Sequence, residues 1–274
     1  MVSEYINYLQ NVRGYSRHTC RAYMNDVVAF VVWLKQQRTD VRWSTITRDD
    51  VDAYVTERVR AGRKASTTNR ALASISGIYN YMKRQGYDVV NPCRYESRRK
   101  IADSIPNTIP VEDLRKAYEH SHGVAKVIIG LLATTGIRVQ ELLNITWESI
   151  DFTQSSIHIY GKGQKERTVY TSPEYLETLR IAMQQQHRSG RIITMEQREV
   201  RWLLWNALRP WCNAKQLSPH AIRHTMATQA AVNGANVTTL AVALGHKSIR
   251  TTQKYIDMAA APVREVFTNN NMFH

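Results

Sequence analysis

The sequence predicts a mainly α protein of two domains, the first all helical and the second mixed α/β with one small β-sheet. Three observations carry this. Apolar residues recur at helical spacing through most of the 274 residues. Strand-like alternation is confined to Ser156–Tyr160 and Arg167–Tyr170, which flank Gly161-Lys162-Gly163 and so read as a hairpin. Residues 94–110 have no apolar period and hold Arg98-Arg99-Lys100, Pro106 and Pro110, as a basic linker does. The domains are placed at 1–101 and 102–274, against a prior of roughly 150 residues each.

In the first domain a helix begins almost at Met1. Ser16 caps a second helix through Gln37, with Tyr23, Val27, Val28, Val31 and Leu34 on one stripe. Thr47 and Asp50 resemble a capping box and open a third helix ending near Gly62. Ser66 or Thr67 starts a fourth, with Leu72, Ile75, Ile78, Tyr79 and Met82 facing inward and Gly86 and Asn91-Pro92 closing it. In the second domain helices are expected at 111–121, 124–135, 138–147, 173–187, 196–213, 219–233, 236–244 and 249–260, around the hairpin.

Charge points to the partner. Lys and Arg number 37 against 23 Asp and Glu, a net +14, which favours a polyanion. The first hundred residues hold 18 of those cations against 9 acids, so the smaller domain is the more basic. The longest apolar run, Val27 to Leu34, has eight residues, so no membrane association is expected. No signal peptide is visible. Cys20, Cys93 and Cys212 are odd in number and scattered, which suits a reducing cytoplasm and gives neither a disulfide framework nor a CxxC metal pair.

Four segments carry chemistry: Thr135-Gly136-Ile137-Arg138-Val139-Gln140-Glu141, Gly161-Lys162-Gly163, His220-Ala221-Ile222-Arg223-His224, and Leu244-Gly245-His246 with Tyr255 nine residues on. Singly, each has an ordinary reading: a surface ion pair, a solvated turn, a packed histidine. Together, in this order and spacing, they resemble the signature of the tyrosine recombinase (phage integrase) family. The run from Leu217 to Tyr255 is similar to Xer-type members, and the basic helical first domain resembles that family's core-binding, SAM-like domain.

The resemblance implies a site-specific DNA recombinase that cleaves and rejoins duplex DNA through a 3′-phosphotyrosine and a Holliday junction, with chemistry like that of type IB topoisomerases. It implies Tyr255 as nucleophile, Arg138 and Arg223 on the phosphate, and Lys162 as acid for the leaving 5′-oxygen, with Lys165 its rival. His220 and His246 are implied as donors or proton carriers, and Glu141 as a support for Arg138. His224 is expected to pack or cap within its helix. The chemistry agrees: guanidinium forks suit a phosphate, and phosphoryl exchange onto a tyrosine conserves bond energy, so no metal or cofactor is expected. A metal site on His220, His224 and His246 is disfavoured because no Glu follows His220 and Arg223 would repel the cation.

Implied partners are double-stranded DNA and three further copies, a homotetramer on two synapsed sites. An accessory DNA-bending protein or a second recombinase stays open, as does the choice between integration–excision and dimer resolution. Two other classes are weighed, a non-cutting DNA-binding protein and a nick-and-reseal topoisomerase. After Tyr255, Val263, Val266 and Phe267 form a short stripe suited to a neighbouring protomer. For reading DNA, the fourth helix offers Thr67, Asn69 and Arg70 beside Arg63 and Lys64. Its inner stripe is apolar, so its start is free to enter a major groove, with Arg70 on guanine and Arg63 and Lys64 on phosphates.

Overall fold

The computed structural model describes residues 1–93, 99–100, 106–161, 166–182, 189–213, 217–245 and 250–259. The chain forms two units, Met1–Asp103 and Ser104–His274.

The first unit packs four helices, α1 (Val2–Asn11), α2 (Arg17–Gln37), α3 (Arg48–Arg60) and α4 (Ala65–Arg84). Ser16 caps α2, its Oγ accepting from the Thr19 amide at 3.2 Å. Thr47 and Asp50 close a full capping box on α3. The inward stripe expected of α4 is buried throughout, against Phe30 and Leu34 of α2 and Tyr5 of α1. The α2 stripe is rotated from its expected position. Val27, Phe30 and Leu34 share the buried side at helical spacing, and Val28 turns out to solvent, 46% exposed.

The start of α4 corrects the sequence reading. The helix opens at Ala65 with Lys64 as its N-cap and no side-chain cap, so neither Ser66 nor Thr67 begins it. Arg70 is not the free side chain that was expected. It holds the buried Asp26 of α2 in a two-pronged ion pair, Nε to Oδ2 at 2.8 Å and Nη2 to Oδ1 at 3.0 Å. Ser74 Oγ donates to the same carboxylate at 3.1 Å. A carboxylate taken out of water needs such partners, so Arg70 is held in a structural ion pair with its side chain 46% exposed. Asn69 is also engaged, bonded both ways to the Arg99 backbone at 2.8 Å. Thr67 is half-buried, while Arg63 and Lys64 are exposed.

The second unit is built on α6 (Gly123–Thr135), whose residues from Val127 to Leu132 are all buried. A helix apolar all round must be enclosed, and α5 (Val111–Glu119), α8 (Pro173–Ala182), α9 (Gln197–Leu208) and α10 (Pro219–Val232) surround it. Strands β1 (Ile150–Asp151), β2 (Ser156–Tyr160) and β3 (Glu166–Tyr170) form an antiparallel sheet in that order, with Ile157 opposite Val169. β1 was not foreseen. The helix expected over 138–147 is only α7 (Val139–Leu142). Beyond it the chain turns extended to pair with a distant loop, Ile192 N donating to Ile145 O and Trp147 N to Gly190 O. α11 (Val237–Leu244) and α12 (Arg250–Ala259) pack on α10. No helix among the described residues is long and apolar enough to cross a membrane.

Arg70→Ala is expected to destabilise the protein by about 1–3 kcal/mol, because Asp26 stays buried with only Ser74 as partner. Adding Asp26→Asn should recover part of that loss. Urea denaturation of the single and double variants measures both, and an Arg70→Ala midpoint equal to wild type would refute the pairing as structural.

Candidate active site

α10 carries three candidate groups on one side. Ser218 caps it, Pro219 starts it with the fixed φ a first turn requires, and His220, Arg223 and His224 follow at three- and four-residue spacing. Arg223 is almost wholly buried, yet its guanidinium is not adrift. Nη1 donates to the Gly136 carbonyl and Nη2 to the Leu244 carbonyl at 2.6 Å. Gly136 ends α6 and Gly245 ends α11, both with φ of +61°. That left-handed turn aims the last carbonyls of each helix outward, where an arginine can take them. A Cβ at Gly136 would strike Met226 and Leu244, and one at Gly245 would strike Arg167.

Arg138 is the N-cap of α7. Its Nη2 donates to the Gly245 carbonyl at 3.0 Å and its Nη1 to Glu141 Oε1 at 3.0 Å. Glu141 turns back to accept from the Arg138 amide at 2.8 Å. It also accepts a two-pronged pair from Arg167 of β3, Nη1 to Oε1 at 3.0 Å and Nη2 to Oε2 at 2.8 Å. Arg167 Nε donates to the Ala243 carbonyl at 3.0 Å. Burial alone would raise the Glu141 carboxyl, but the bonds from Arg167 and the Arg138 amide outweigh it and hold the pKa at about 2.

Tyr255 stands on α12, 2% exposed, among Ala227, Ala231, Leu240 and Leu244. Its hydroxyl lies 2.6 Å from His224 Nδ1. His220, exposed, stacks on His224 with ring centroids 5.3 Å apart. Burial pushes the Tyr255 phenol up, against the opposing pull of Arg223 and Arg138. Burial, then His220, Arg223 and Lys254, push His224 down to about 4. His220 is lowered by burial and by Arg223, Arg138 and Arg201. Burial, helped by Arg138, brings even Arg223 down to about 10.

Arg138, Glu141, His220, Arg223 and Tyr255 are thus brought together by three separate elements, α7 with its N-cap, α10 and α12. Lys162, His246 and the rival Lys165 lie outside the described residues, as do Val263, Val266 and Phe267. Two residues went unrecognised. His224 does not simply pack or cap within α10, since its ring nitrogen meets Tyr255. Arg167 bridges the sheet to Glu141. Its one signal in the sequence is position: it shares the strand face of buried Val169, where a cation needs a partner.

Buried Arg223 and half-buried Arg138, both held by helix-end carbonyls beside an enclosed tyrosine, form a cationic cluster of the kind that suits a phosphate group. Residues 108–261 match the phage integrase family and residues 2–86 the phage integrase N-terminal SAM-like domain. The chain belongs to the phage integrase family, the tyrosine recombinases. It is similar to tyrosine recombinase XerC of Thermodesulfovibrio yellowstonii, 26% identical over 98% of this chain and 95% of that one. XerC of Staphylococcus haemolyticus is 28% identical over 97% of this chain and 94% of its own. The fold resembles that of XerH recombinase bound to a palindromic difH substrate, at TM-score 0.76 and 15% identity, covering 98% of this chain and 84% of that one. It also resembles the Tn1549 transposon integrase in complex with transposon right end DNA, at TM-score 0.73 and 15% identity, covering 97% and 98%.

The acid limb of stability should carry the signature of Glu141. A pKa held at about 2 rather than 4.5 stabilises the fold above pH 4.5, and that stability is lost as pH falls toward 2. The amount is about 3 kcal/mol. Glu141→Gln should therefore be less stable at pH 7, with its curve meeting that of wild type near the acid end. Urea titrations across this range test it, and curves that stay parallel would contradict it.

Proposed function

We propose that this protein is a site-specific DNA recombinase that cuts and rejoins duplex DNA through a 3′-phosphotyrosine at Tyr255. One observation carries the reading: Arg138 and Arg223 are fixed by carbonyls of the α6 and α11 ends, in the same cluster as an enclosed tyrosine. Guanidinium groups held this way lose little entropy on meeting a phosphate and act at full strength out of water. The net charge of +14 suits a DNA backbone, and the exposed Arg63 and Lys64 at the start of α4 are the proposed phosphate contacts of the first unit.

In the proposed reaction Tyr255 Oη forms a bond to phosphorus as the bond from phosphorus to the 5′-oxygen breaks. Arg138 and Arg223 take the charge that grows on the non-bridging oxygens, with His220 and His246 as further donors. Lys162 gives a proton to the departing oxygen. The freed 5′-hydroxyl of a partner strand then attacks the phosphotyrosine, and the bond energy kept there reseals the DNA. Four copies on two sites, exchanging two strands at a time through a Holliday junction, complete recombination. The same step serves integration and excision of a mobile element or resolution of dimeric replicons. The reaction takes place wherever the DNA is, in the bacterial case the cytoplasm.

Covalent capture tests this. Wild-type protein mixed with sheared DNA of its source cell should retain fragments after denaturation, joined at a 3′ end. Tyr255→Phe should retain none while still shifting the same fragments in a native gel. Adducts with Tyr255→Phe, or none with wild type, would overturn the reading. On a duplex of captured sequence, Arg223→Ala should slow cleavage by about a hundredfold or more.

Lys162→Ala should be equally slow on that duplex and should recover when the bridging 5′-oxygen is replaced by sulfur, because a thiolate leaves without a proton. Arg223→Ala should not recover on the sulfur substrate. A Lys162→Ala variant that stays slow there would move the acid role elsewhere, and Lys165 would be examined next.

A further inference from the structure

We infer that His224 is a catalytic residue that takes the Tyr255 proton as the phenol attacks phosphorus and returns it when the tyrosine leaves. The inference rests on the reading of Tyr255 as nucleophile. Its ground is geometric. His224 Nδ1 and Tyr255 Oη are 2.6 Å apart, within hydrogen-bond reach. The tyrosine is 2% exposed, so bulk water does not offer the proton an easy exit. The rings belong to α10 and α12, a closely packed helix pair of this unit, which fixes their approach.

Charge sets the direction of transfer. Among the described residues, the groups facing His224 are His220 and Arg223 on its own helix and Lys254 and Tyr255 on α12. Three of these are cationic or become so on protonation, so with burial they keep His224 neutral at pH 7. A neutral imidazole with its proton on Nε2 leaves Nδ1 free to accept. The phenol, raised by burial, keeps its proton in the resting protein. A weak base beside a weak acid exchanges nothing until the acid changes. Bonding to phosphorus makes the Tyr255 oxygen far more acidic, and only then does its proton pass to Nδ1. The imidazolium so formed lies next to a phosphate whose negative charge is growing. On rejoining, the bond from Oη to phosphorus breaks and the same proton returns to Oη, so the cycle balances without another reactant. The pairing also guards Tyr255 from ionising when no phosphate is bound. His220, stacked on the outer side of His224, stays available to the phosphate.

Two measurements test this. The first needs no DNA. Nitrogen NMR of ¹⁵N-histidine-labelled protein should show His224 as the Nε2–H tautomer, titrating well below the ordinary histidine range, with assignment by His224→Asn. An Nδ1–H tautomer, or protonation near pH 6.5, overturns the proposal. The second uses a nicked duplex of the captured sequence between pH 6 and 9. Wild-type cleavage should vary little. His224→Ala and His224→Asn should cleave about 10²-fold more slowly at pH 7 and gain about tenfold per pH unit, as the phenol ionises to solvent. Added imidazole should restore His224→Ala. Wild-type rates in both variants, a flat profile, or faster cleavage would each overturn it, the last marking the contact as a restraint on Tyr255. Cleavage that persists in Tyr255→Phe would instead remove the nucleophile reading and leave the tautomer result standing. Should either variant fail to fold, the NMR arm decides.

Discussion

The carboxylate of Glu141 holds the second unit's site in register. It accepts from the guanidinium groups of Arg138 and Arg167 and from the Arg138 amide, and is itself buried. Through it α7, β3 and, by the carbonyls of Ala243 and Gly245, the end of α11 are tied to one point. Two guanidinium groups so close would repel, and the carboxylate between them turns that repulsion into attachment. β3 therefore keeps a fixed relation to Arg138 through the shared carboxylate.

Around that point the fold supplies carbonyls rather than further acids. Arg223 is buried against the Gly136 and Leu244 carbonyls, at the ends of α6 and α11. Helix C-termini carry partial negative charge, so they hold a guanidinium while leaving it formally cationic toward an incoming anion. A second carboxylate at this place would neutralise the charge that the proposed reaction uses. The enclosed α6 makes this possible, since its end at Thr135 and Gly136 is itself buried and presents its carbonyl to Arg223.

The same burial that encloses Arg223 works against Tyr255, whose phenol it raises. The site thus keeps its candidate nucleophile protonated and enclosed, next to a histidine that is neutral. In the first unit a comparable constraint operates. Asp26, buried on α2, claims Arg70 and Ser74 of α4 and locks the two longest helices together.

Sequence by itself determined the helical class, the hairpin, the caps at Ser16 and Thr47 and the inward stripe of α4. These follow from local periodicity and from residues that satisfy backbone groups within one turn of themselves. The order and spacing of Arg138, His220, Arg223 and Tyr255 were legible as well, because each motif is a short local pattern. What only the tertiary structure decided are contacts between segments far apart in the chain. Arg70 pairs with Asp26 across 44 residues, Arg167 with Glu141 across 26, and His224 with Tyr255 across 31. The shortened α7 belongs with these, since the chain beyond it, at Ile145 and Trp147, bonds to Ile192 and Gly190 more than 40 residues on. A buried charge or an unpaired amide takes whichever partner the packed chain brings within 3 Å, and no local pattern carries that information.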